Sequence, residues 1–171
     1  MRAFGTPGYL LSDARVEVRI VYTGFLLLAS VGFVTMAIFQ LRHIGPTPER
    51  VAAYFRGGMR GMEMTFPKTA RELAELTHFH SFVMGLVYLV LAHLFLATTA
   101  PDRLKRLGVV TTFAGLAGDL VGVWLIVYVS AAFAWLQIAA WIAQWAGFAT
   151  FVFYPVREMW FSHGRQALPP D

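Results

Sequence analysis

Ionisable side chains are rare in the apolar stretches of this chain, which makes the few that occur there informative. His78, His80 and His93 enter or lie within one such stretch, Glu75 to Thr98, and His43 closes the apolar run before it. Imidazole is the commonest metal ligand and carries protons near neutral pH, so these four are the candidate cofactor-binding residues. Asp119 lies inside a third apolar run. A carboxylate at mid-membrane costs about 2.5 to 3.5 kcal/mol, so it must face a partner or a water-filled cavity. Gln137 and Gln144 are seven residues apart on one face of a fourth run, with Trp141 beside that stripe. Such a seam suits helix association or the polar edge of a quinone head group. Met59, Met62 and Met64 in RGGMRGMEM gather three thioethers, which with His78 or His80 make a candidate Cu(I) site. Arg56 and Arg60 in the same stretch oppose a cation there.

These residues are positioned by hydrocarbon-soluble elements. Of 171 residues, 57% are hydrophobic and 14% charged, too apolar for a soluble domain, in which about a quarter are charged. The expected architecture is all-α and integral to the membrane, with four transmembrane helices and a partly helical extramembrane segment between the first two. Residues 1–19 read as a tail with a short interfacial helix capped by Ser12 or Asp13, and 20–42 as the first span. The connection, 43–77, carries two helix starts. Thr47 before Pro48 opens one that Gly57-Gly58 closes, and Thr69 with Glu72 three residues on is a capping box that opens the next. Residues 78–99, 104–129 and 133–155 are the remaining spans, the last terminated by Pro155 and Arg157, and 156–171 a frayed tail. Gly115, Gly118 and Gly122 around Asp119 form a small-residue stripe along which a second helix can come close. His93 is the expected ionisable partner of Asp119, at a depth difference of about 7 Å, as a proton relay or a means of fixing an imidazole tautomer.

On a helix His78 and His93 fall within about 60° of one face and about 22 Å apart along the axis. This resembles the cytochrome b family, where one helix carries an axial haem ligand near each membrane surface. The resemblance covers one helix and implies haem b. The third and fourth spans contain no histidine, so the chain departs from the family's two facing helices with two histidines each. What survives is a single haem on the side where His43 meets His78 or His80, a haem or pigment shared with another subunit, or His93 as one ligand to a magnesium-porphyrin type cofactor. His78 and His80 point to opposite faces, so one of them ligates.

The chain has no cysteine, which excludes disulfides, thiolate-held clusters and covalent c-type haem. The net charge of +4 comes from residues flanking apolar runs, not from a basic stripe, so it reads as topology and not as nucleic-acid binding. Four spans put eight Lys or Arg residues on the side of the termini and six on the other, which favours cytoplasmic termini, as in a bacterial inner membrane. The polar stretch ahead of the first run argues against a cleaved secretory signal. With no nucleophile and base pair, phosphate loop or zinc helix, no independent catalytic activity is expected. The functional expectation is an accessory subunit of a respiratory or photosynthetic electron-transfer complex, with other membrane subunits, lipid and a quinone or pigment as partners. A cofactor-free scaffold and a small copper-handling protein are the alternatives.

Overall fold

A computed structural model of the chain describes residues 10–60 and 63–162. It has five α-helices: α1 (Val16–Phe39), α2 (Pro48–Arg56), α3 (Ala70–Leu96), α4 (Asp102–Tyr128) and α5 (Ala134–Trp160). Between α2 and α3 a small antiparallel hairpin pairs β1 (Gly58–Arg60) with β2 (Glu63–Thr65). Four of the helices are long and apolar enough to cross a bilayer, and at a rise of 1.5 Å per residue 27 residues span about 40 Å. The chain is therefore an all-α integral membrane protein. The readings of 1–9 as a tail and of the frayed end beyond Ser162 lie outside the described residues.

Local chemistry starts the helices largely as read. The Thr47 side chain accepts from the Arg50 amide with Pro48 at the first helical position. Thr69 and Glu72 complete the capping box, which lets α3 run from the surface into the bundle without a break. Three features differ. No interfacial helix capped by Ser12 or Asp13 forms; residues Leu11–Asp13 make one 3-10 turn, and α1 begins at Val16 without a side-chain cap. The turn is instead pinned from outside, where the Leu11 amide donates to the Ala97 carbonyl. The hairpin was not legible either, since strands of three residues carry almost no periodicity. Gly57, at φ 77°, swings the chain from α2 into it, and a Cβ there would meet Thr65 O at 2.7 Å. Finally, α5 does not stop at Pro155 but continues to Trp160. Arg19 donates to the Met159 carbonyl at 2.6 Å and Trp160 to the Thr23 hydroxyl at 3.0 Å, so contacts with α1 hold the last turn in place.

The tightest seam is α4 against α5. In lipid no hydrophobic force drives two apolar helices together, so close approach of small residues supplies the attraction. A Cβ on Gly122 would overlap the Gln137 amide oxygen, and one on Gly147 would overlap the Thr112 hydroxyl. The amphipathic α2 lies across the end of this pair, burying Val51 and Phe55 against Val123, Ile126 and Ala134. Arg56 fastens it by donating to the Ile126 carbonyl at 3.2 Å. By contrast α1 buries Leu26 alone among its helical residues.

Candidate functional site

Asp119 organises the polar interior. Gln137 and Gln144 on α5 donate their amide N–H groups to its two oxygens, the second at 3.2 Å, and Trp141 donates its indole N–H at 3.1 Å. The seam of two glutamines around a tryptophan and the lone carboxylate are thus one network. The glycine stripe lets the short carboxylate reach three donors on the facing helix. Tyr88 on α3 extends the network, its hydroxyl donating to Gln144 Oε1 at 3.1 Å.

Asp119 also faces a cavity of about 370 Å³, within the size range of small-ligand sites. From α1 and the turn after it come Leu28, Gly32, Phe33, Met36 and Gln40, and from α3 Phe79, His80, Val83, Met84 and Val87. Both sets follow a helical repeat, so the cavity is a cleft running along the α1–α3 interface. Its floor is Asp119 with Trp141, Gln144 and Trp145. The polar groups sit towards the end nearest α2, where Gln40 and His80 enter, and the opposite end at Leu28 and Val87 is apolar. Leu28, Gly32, Phe79 and Val83 on its rim are exposed, so the cleft opens sideways through an apolar mouth. A clasp closes the polar end, with Trp145 donating to Gln40 Oε1 at 3.1 Å. Gln40 begins a π-helical turn, Gln40–Ile44, at the end of α1, a local widening that often marks functional sites.

The histidines separate. His80 lines the cavity, while His78 is exposed beside Phe82, in keeping with their opposite faces. His43 is exposed and stacks on Phe39 at 5.0 Å. The expected His93–Asp119 pair does not form. His93 is exposed, with Nδ1 2.7 Å from the Leu89 carbonyl. It lies three residues from the end of α3, whereas Asp119 lies seventeen into the antiparallel α4, which separates them by about 20 Å in depth. The spacing shared with cytochrome b thus places both His78 and His93 on exposed faces. Met59 and Met64 are opposed across the hairpin and exposed; Met62 lies outside the described residues. Among the described residues no three of His, Asp and Glu gather in a manner suited to a metal ion.

Sequence reasoning did not single out Gln40, Trp145, Met36, Met84 or Tyr88. Gln40 had a usable signal, as the one carboxamide at the end of an otherwise apolar run.

Fold and site together define an integral membrane four-helix protein with a laterally open cavity. The model of a family described as a transmembrane helical domain, Aq_1264_TM, matches residues 45–166. The chain belongs to that family, and the match takes in α2 to α5. No curated protein and no solved structure matches the chain.

Proposed function

We propose that the protein is an accessory membrane subunit of a respiratory or photosynthetic electron-transfer complex, and that its α1–α3 cleft holds a lipid-soluble carrier with a quinone-type head group. One observation carries this: a cleft with Gln40, His80 and Asp119 towards one end, apolar side chains at the other and an apolar mouth facing the bilayer. A water-soluble ligand has no reason to enter through an apolar rim. An amphiphile lying in the leaflet nearest α2 would have its head and tail already aligned with the polar and apolar ends. With cytoplasmic termini that leaflet is the outer one of a bacterial inner membrane. Trp141 and Trp145, with Phe33 and Phe79, put four aromatic rings in the lining around a flat head group.

The test is an organic extract of the protein purified from its native membranes in mild detergent. A tailed quinone at near-stoichiometric amount is expected, and Gly32→Leu, which fills the cleft where no atom now lies within 4 Å of a Cβ, should abolish it. A quinone-free protein that still stabilises a membrane complex would replace this reading with the scaffold one.

The cavity also favours haem b in a form the sequence did not suggest. His80 is its one imidazole, and Met36 and Met84 bring thioethers to the same walls, a ligand combination known for haem iron. A reduced-minus-oxidised absorption spectrum decides between the two carriers. Sharp haem bands lost in both His80→Ala and Met36→Leu would support the haem, and a spectrum without them would leave the quinone.

A further inference from the structure

The hydrogen-bonding capacity left over in the cleft includes both acceptors and donors. His80 Nδ1 lies 3.0 Å from the Leu76 carbonyl, and since a carbonyl only accepts, that nitrogen carries a ring proton, so that in the neutral imidazole Nε2 keeps its lone pair. The bonds Asp119 makes with Gln137, Trp141 and Gln144 are all donated to it, so as a carboxylate its remaining capacity, chiefly at Oδ2, is for accepting. The indole donors of the floor are already committed, Trp141 to Asp119 and Trp145 to Gln40. The Gln144 oxygen is taken by Tyr88, and its amide, which gives one N–H to Asp119, keeps a second. Two acceptors, His80 Nε2 and the Asp119 carboxylate, therefore await a donor, and the Gln40 amide and the second Gln144 N–H are the donors left to a ligand.

A quinone presents two carbonyl oxygens and can only accept, whereas its reduced form presents two hydroxyls that donate as well as accept. Resting on the quinone-type reading above, we infer that the cleft selects the reduced, hydroxyl-bearing carrier. One hydroxyl donates to His80 Nε2 or Asp119 Oδ2, while the other can accept from the Gln40 amide. The oxidised form can accept from the Gln40 and Gln144 amides but leaves both acceptors unanswered in a site of low polarity, where an unmatched polar group is costly. The same pair defines where protons go if a one-electron acceptor in a partner subunit, turning over twice, oxidises the bound hydroquinone. Loss of two electrons breaks two O–H bonds, and His80 Nε2 and Asp119 Oδ2 are the bases present to take the protons.

The experiment uses the full chain in phosphatidylcholine nanodiscs and three probes sharing a ten-carbon tail: a benzoquinone, its hydroquinone, and the dimethyl ether of that hydroquinone, which keeps the shape without a donor. Equilibrium dialysis should show the hydroquinone bound at least about tenfold more tightly than the other two, the effect of one or two hydrogen bonds in a dry site. His80→Leu, which removes only a local bond to α3, should reduce the preference to about twofold or less. A quinone or ether that binds as tightly as the hydroquinone overturns the inference while leaving a quinone-type site in place. A preference that survives both His80→Leu and Asp119→Asn overturns it as well. Failure of all three probes to bind overturns the quinone-type reading itself.

Discussion

Two helix pairs in this bundle are built on opposite principles. Along α4 and α5, glycines bring backbones close enough for a carboxylate on one helix to collect donors from the other. Along α1 and α3, large side chains stand apart around a cleft. The burial pattern follows: α1 has one buried residue in 24, and α5 has eleven in 27. The α4–α5 pair also lies wholly within the segment matched by the family model, and α1 precedes it. The contrast teaches that in lipid, where apolar surface by itself has no preference for protein, a gap between two spans costs little provided another seam holds the bundle. One seam can be optimised for cohesion while another is left open to the bilayer.

The comparison can be broken most severely at the tight seam. Gly122→Leu forces a side chain into the position of the Gln137 amide and should destabilise the bundle by about 3 kcal/mol, read as a lowered midpoint of thermal unfolding in detergent. Asp119→Leu leaves three N–H donors of α5 without their acceptor and should cost about 2 kcal/mol, with Asp119→Asn recovering part of it. At the open seam the effects should be smaller. Trp145→Phe removes the clasp on Gln40 and is expected to cost about 1 kcal/mol, together with faster thiol labelling of a cysteine placed at Val83. Gly32→Leu should change stability by less than about 0.5 kcal/mol, because its side chain enters empty space, even as it blocks the cleft. If Gly32→Leu proved as damaging as Gly122→Leu, the two seams would not differ in kind.

The spans, the start of α2 and the capping box of α3 were legible because each rests on a local rule: apolar length, a proline at the first turn, Thr69 three residues before Glu72. The polar network was half legible. Asp119 in a glycine stripe and the Gln137–Gln144 seam were each visible as contact-seeking faces, but one sequence does not say which helix faces which. His93 therefore stood in as partner although the α3–α4 turn puts it at the far end of the bundle. The cleft could not be read at all. A cavity is the outcome of packing between helices distant in sequence, and Met36, Met84 and Phe33 look in the chain like any other apolar positions.

Pro155 has no amide hydrogen to give to the Phe151 carbonyl four residues back, so the ladder of α5 lacks a rung there and that is its most pliable point. The two side-chain ties between α5 and the start of α1 lie beyond it: the Met159 carbonyl held by Arg19 and the Trp160 indole bound to Thr23. A small flexure at this joint would be carried to α1 as by a leash. The wall of the cleft can thus be shifted from the membrane surface opposite its polar end without disturbing the Asp119 network.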